Sequence, residues 1–139
     1  MKRFLVFLVI FIILAAGITV FTSIYLDLNP KKIVIAVDSS YNMNNYWTRL
    51  TEIVKSYESA RYSTFTLITD KMTVHSWDTE LKTYKLGSIK PYGPQDITVF
   101  LDDRRYPELK KAAQIIIITD AEDTSMFNKD SRYKIIQMK

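Results

Sequence analysis

Two polar clusters follow the two most apolar short runs of the chain beyond its N-terminal quarter. In "IVIAVDSSYNM", Ile33 to Val37 end in Asp38, Ser39, Ser40, Tyr41 and Asn42; in "QIIIITDAED", Ile115 to Ile118 end in Thr119, Asp120, Glu122 and Asp123. Residues two apart in an extended segment point the same way, so Asp38, Ser40 and Asn42 are spaced to present three oxygens toward one point. If the run carrying Asp120 lies beside the first, a second carboxylate reaches that point. Two carboxylates with hydroxyls and an amide form a hard, oxygen-only site. Mg²⁺ suits it, because this ion takes octahedral oxygen coordination, keeps several waters and is usually held by one or two carboxylates; Mn²⁺ or Ca²⁺ could substitute. The chain has no cysteine, which excludes a thiolate zinc site and any disulfide support.

The elements that must position these residues are legible as alternating strands and helices. Ile33–Val37 and Ile115–Ile118 lack polar alternation, the pattern of strands buried on both faces of a parallel sheet. Between them, Met43, Tyr46, Trp47, Leu50, Ile53, Val54 and Tyr57 recur at three-and-four spacing, which predicts an amphipathic helix from Met43 to near Ala60, capped by Ser40 or Asn42, with its aromatic residues in the core. Residues 62–69 and 72–77 are β-prone runs separated by Asp70-Lys71, an antiparallel hairpin whose second strand is a sheet edge. Gly87, Pro91, Gly93 and Pro94 mark residues 78–98 as mostly loop, a helix is expected within 99–113 with Pro107 in its first turn, and 133–138 is a last candidate strand. The predicted fold is therefore α/β: an open, doubly wound, mostly parallel, Rossmann-like sheet with an antiparallel edge hairpin. Ligands of such sheets bind outside the carboxyl ends of the central strands, where both polar clusters fall.

The first quarter of the chain is of another kind. Phe4 to Leu26 is an uncharged run of 23 residues, which as a helix reaches roughly 34 Å and spans a bilayer. A cleaved signal peptide is the rival, since Lys2 and Arg3 precede the run and Ala15-Ala16-Gly17 offers small residues. The run continues well past that point, which favours an uncleaved anchor. The expected organisation is a short tail (1–3), a transmembrane helix (4–26), a linker (27–32) and one domain (33–139). A short N-terminal tail usually stays inside, so the expected location is the cell membrane, single-pass, with the domain on the extracytoplasmic side. Of 19 Lys and Arg, Lys2 and Arg3 precede the anchor; the remaining 17 stand against 15 Asp and Glu, a net of +2 that argues against a nucleic-acid partner.

The two motifs together resemble the von Willebrand factor A domains. "IVIAVDSSYNM" is similar to the first strand and metal loop of that family, with its Asp-x-Ser-x-Ser pattern, and "IIIITDAED" resembles its fourth strand, commonly ended by Thr-Asp-Gly-Glu. The resemblance implies that Asp38, Ser40 and Asn42 are the first positions of a metal-ion-dependent adhesion site, that Asp120 is its second acidic position, and that a loop threonine, best matched by Thr98 in "PQDITVF", completes it. Asn42 replaces a serine, Tyr41 and Ala121 stand where glycine is usual, no glycine pair precedes Thr98, and residues 27–139 fall short of the family's usual size. The implied object is a reduced A-like domain.

Each feature has a plainer use. Asp38, Ser40 and Asn42 could close a strand and cap a helix, Asp120 could be a turn residue, and Glu122 and Asp123 read as solvated or capping. His75, the only histidine, reads as packing or surface.

Three function classes follow. The first is a membrane-tethered binding module whose divalent cation keeps a coordination position for an acidic side chain of a partner protein, in adhesion or assembly of an envelope complex, with Tyr41 shaping the contact. The second is a metal-free scaffold subunit of the same fold, with a partner completing an open sheet edge. The third is a Mg²⁺-dependent hydrolase. Haloacid-dehalogenase-like phosphatases also end a first strand in aspartate, but Ser40 stands where they need a second one, and no Lys or His partner for phosphoryl chemistry is evident. The sequence predicts no enzyme.

Overall fold

The computed structural model describes residues 2–139, apart from the side chains of Lys2, Arg3 and Leu5. Met1 and the two charged side chains of the tail, on which the orientation expectation rests, lie outside the described residues. The chain divides into two compact units, one up to Pro30 and one from Lys31 to Lys139.

The first unit is one helix, α1 (Lys2–Leu28). Within it Val6–Leu28 is long and apolar enough to cross a membrane, and none of that stretch is buried by protein. Two of its hydroxyls turn back onto the helix: Thr19 and Thr22 donate to the Ala15 and Ile18 carbonyls at 2.8 Å. The helix runs two residues past the expected end and stops where Pro30 pushes Asn29 out of helical geometry.

The second unit is an α/β domain around a five-stranded mixed sheet: β1 (Lys31–Val37), β2 (Ser63–Thr69), β3 (Thr73–Asp78), β4 (Gln114–Thr119) and β5 (Tyr133–Gln137). The strand order is β3-β2-β1-β4-β5. All neighbours are parallel except β2 and β3, which form the expected antiparallel edge hairpin with an irregular register. β1 begins at Lys31 because Lys31 and Lys32 already pair with Ser63 and Thr64. The expected linker 27–32 thus shrinks to Asn29 and Pro30.

Alternation along the central strands sends side chains to both faces, and both are covered. Ile33, Ile35, Val37, Phe65, Leu67, Ile116 and Ile118 form one core with Leu50 and Val54 of α2 (Trp47–Ser56). Val34, Ala36, Ile68, Ile115 and Ile117 form the other with Phe100, Tyr106, Leu109 of α3 (Glu108–Lys111), and Phe127. Burial on both faces is why these strands show no polar alternation.

Two helices are shorter than their patterns predict. Tyr41–Tyr46 is a 3₁₀ turn with Ser40 before it and no side-chain cap bond. Asn42, Asn44 and Asn45 compete for backbone hydrogen bonds and lower helix propensity, so α2 begins only at Trp47. Within 99–113 the helix is the single turn α3. Asp102 Oδ1 accepts from the Arg104 and Arg105 N–H groups at 2.9 and 3.3 Å, a local turn that delays the helix until Pro107, which takes the cap position.

His75 lies on β3 opposite Leu67 and is buried. Its Nδ1 is 2.8 Å from the Ser76 carbonyl, which only accepts, so Nδ1 carries the proton and the buried Nε2 is left without a partner among the described residues. Burial holds its pKa below 6.5, against the opposing pull of the Ser76 hydrogen bond. Between that lowered value and the unfolded one, the folded state binds fewer protons than the unfolded chain, so stability rises with pH there. The contribution is full above about pH 6.5 and is lost as pH falls through the lowered folded value. The unfolding temperature of the domain is expected to drop between about pH 7 and pH 5, and His75→Gln to flatten that part of the profile.

Candidate functional site

The strand order reverses between β1 and β4, and in open sheets the crevice outside the carboxyl ends of such a pair is where ligands bind. Val37 and Ile118 are register partners, so Asp38 leaves the sheet beside Thr119 and Asp120 follows one residue later. The parallel ladder continues one step beyond β1, with the Asp38 N–H donating to the Ile118 carbonyl at 2.9 Å.

Asp38 is fully buried. Its Oδ1 accepts from the Ser40 N–H at 2.9 Å, and its Oδ2 accepts from Thr119 Oγ1 and from Gln95 Nε2, both at 2.7 Å. The same Gln95 nitrogen donates to Asp120 Oδ1 at 2.7 Å. One amide NH₂ therefore joins the two carboxylates. Burial, and then the neighbouring Asp38 carboxylate, push the Asp120 pKa up, with the Gln95 hydrogen bond acting the other way. Ser40 is also buried, and its Oγ has no hydrogen-bond partner among the described residues.

The contrast with the next strand end is informative. Asp70, which follows β2, is buried too; its Oδ1 accepts from the Ser39 N–H at 2.9 Å and the Ser39 hydroxyl at 2.6 Å, and its Oδ2 is ion-paired with Lys71. Asp38 and Asp120 have no such counter-charge: among the described residues no Lys or Arg side chain pairs with or hydrogen-bonds to either.

Residues 92–95 form a strap over these strand ends. Tyr92 N–H donates to the Ser39 carbonyl at 2.8 Å, Tyr41 N–H to the Gly93 carbonyl at 3.1 Å, and Lys71 Nζ to the Pro94 carbonyl at 2.9 Å. Gly93 has φ of 74°, a left-handed turn that a side chain would strain.

A scan against models of protein families matches none to this chain, and a comparison with curated proteins likewise finds no match.

Of the residues singled out by the sequence, Asp38 and Asp120 meet through Gln95, and Ser40 meets Asp38 through its backbone N–H. Thr98 is elsewhere engaged: it is exposed and its hydroxyl donates to Asp96 Oδ1 at 2.6 Å. Asn42 and Tyr41 are exposed on the 3₁₀ turn, Tyr41 at 69 %. Glu122 is exposed as expected, and Asp123 Oδ1 accepts from the Ser125 N–H at 2.9 Å, a capping use in which the Ser125 hydroxyl and then its N–H hold the Asp123 pKa below the ordinary carboxylate value. No group of three or more His, Cys, Asp or Glu positioned to hold a metal occurs among the described residues. Gln95, Thr119 as a bond to Asp38, and Asp70 as a neighbour of Ser39 were not foreseeable as site members from spacing. Gln95 has no motif of its own, but it lies three residues from Thr98 in a Gly/Pro loop, the kind of segment that approaches strand ends.

Proposed function

We propose that this chain is a membrane-tethered, reduced von Willebrand A-like recognition module that is not an enzyme. Asp38, Ser40 and Asp120 would hold Mg²⁺, or Mn²⁺ or Ca²⁺ in its place, and the ion would engage an acidic side chain of a partner protein in adhesion or assembly of an envelope complex. In this reading α1 crosses the cell membrane with the amino terminus inside, the domain lies on the extracytoplasmic side, and Asn42 and Tyr41 sit at the rim.

The observation that carries the reading is a carboxylate pair, Asp38 buried and Asp120 half-buried, without a basic partner among the described residues. A buried charge is costly unless it is paired, and a carboxylate beside a second carboxylate is more costly still. Asp70 has Lys71; the Asp38 and Asp120 pair has only neutral donors, the Gln95 amide, the Thr119 hydroxyl and the Ser40 N–H. The donor set fits a hard cation, with two carboxylates and the orphaned Ser40 hydroxyl. A bound ion would supply a partly neutralised positive centre, while the chain's own residues orient it: Thr119 and the Ser40 N–H fix the Asp38 carboxylate.

A metal-free scaffold is the second reading, supported by Gln95, whose two N–H groups satisfy the pair without an ion. Calorimetric titration of Mg²⁺ and Mn²⁺ into the full chain in detergent micelles separates the two. The cation reading expects saturable binding that is lost in both Asp38→Ala and Asp120→Ala. A folded wild type that binds neither ion would leave the scaffold reading.

A further inference from the structure

We propose that Gln95 is the loop ligand of this cation site and that its amide serves in two orientations. Without an ion, Nε2 bridges Asp38 and Asp120; with an ion bound, the amide turns over and presents Oε1 to it. The inference rests on the cation reading of the carboxylate pair and assigns to Gln95 the part that the resemblance gives to a threonine.

Only an NH₂ group can make the observed bridge. One nitrogen lies 2.7 Å from an oxygen of each carboxylate, and a hydroxyl, with a single proton, could satisfy only one of them. The acceptor that a metal needs is on the same carbon. Rotation about the terminal bond of the side chain exchanges Nε2 and Oε1, and that torsion is broad and two-fold rather than locked in three narrow wells. One side chain thus supplies a donor to two anions or an acceptor to one cation, with no change of backbone.

The backbone around it is built to stay in place. Tyr92 N–H to Ser39, Tyr41 N–H to Gly93, and Lys71 Nζ to Pro94 hold the strap by bonds that leave the Gln95 amide out. Pro91 and Pro94 limit its freedom further, and Gly93 permits the turn that sets Gln95 over the strand ends. Thr98, the competing candidate, has its hydroxyl committed to Asp96. Charge explains the choice of residue as well. A glutamate here would add a third carboxylate to an empty site, whereas glutamine holds the empty site together.

The test uses the full chain in detergent micelles, with Mn²⁺ and Mg²⁺ as probes and wild type, Gln95→Met and Gln95→Glu as samples. The expected result is that Gln95→Met weakens binding about tenfold or more, while Gln95→Glu binds at least as tightly as wild type. In ¹⁵N-labelled wild type, the Gln95 side-chain protons, identified by their absence from Gln95→Met, should exchange slowly with water without metal and lose that protection at saturating Mg²⁺. This second readout decides the matter should Gln95→Met fail to fold. Equal or tighter binding by folded Gln95→Met, or amide protons that stay protected with Mg²⁺ bound, would overturn the role of Gln95 and leave the carboxylate site standing. Failure of wild type and Gln95→Glu alike to bind either ion would overturn both.

Discussion

Asp38→Ala is expected to lower the stability of the domain by about 2–4 kcal/mol with no cation present. The substitution strips the acceptor from Thr119 Oγ1, from the Ser40 N–H and from one proton of Gln95, in a site where Asp38 itself has no exposed surface. Water cannot take over those donors without opening the strand ends. Asp120→Ala should behave oppositely in the empty protein. Asp120 is half-buried, among the described residues its side chain bonds only to Gln95, and burial and Asp38 both disfavour its charge. Its removal relieves repulsion and is expected to change stability by no more than about 1 kcal/mol, toward greater stability. Both tryptophans, Trp47 and Trp77, lie in the domain and none in α1, so urea unfolding followed by tryptophan fluorescence reads the domain alone. A large loss in Asp120→Ala, or none in Asp38→Ala, would contradict this division of roles.

Ile116→Ala is expected to cost about 3–4 kcal/mol, a large share of the roughly 5–15 kcal/mol available to a domain of this kind. Ile116 is fully buried, faces the α2 core, and sits in register with Ile35 of β1 on one side and Lys134 of β5 on the other. Strands on both sides hold the backbone, so the vacated volume cannot collapse. Ile136→Ala, on the edge strand and only partly buried, should cost about half as much. The same unfolding measurement ranks the two; equal losses would mean that β5 is as firmly packed as the centre of the sheet.

The central strands were legible because they are buried on both faces. Runs such as Ile33–Val37 and Ile115–Ile118 admit few other uses, and the antiparallel hairpin at residues 63–78 followed from the polar Asp70-Lys71 break between two β-prone runs. Helix lengths were not legible. The apolar spacing from Met43 onward records which residues face the sheet, and a 3₁₀ turn through Tyr41–Tyr46 satisfies that spacing as well as an α-helix does. For the site, Asp38 and Asp120 could be paired from sequence because the order of a parallel sheet places two strand ends together. Gln95 could not, since its position depends on how a loop with no period of its own crosses those ends. Thr98 was chosen for its hydroxyl; three residues away, an amide reaches both carboxylates.

The central position of β1 bears on how the protein is made. It is the first strand of the domain to leave the ribosome, yet the hydrogen bond between Asp38 and Thr119 joins residues 81 positions apart. Until β4 is synthesised, β1 lacks a neighbour along one side and Asp38 lacks Thr119 and the nearby Asp120. The proposed cation site would therefore come into existence only with the finished sheet. An ion that binds the folded state and not its precursors adds its binding energy to folding. If the domain holds a cation as proposed, cation supply would then set the yield of mature protein as well as its occupancy, and a nascent chain would gain its ligand only once the sheet is complete.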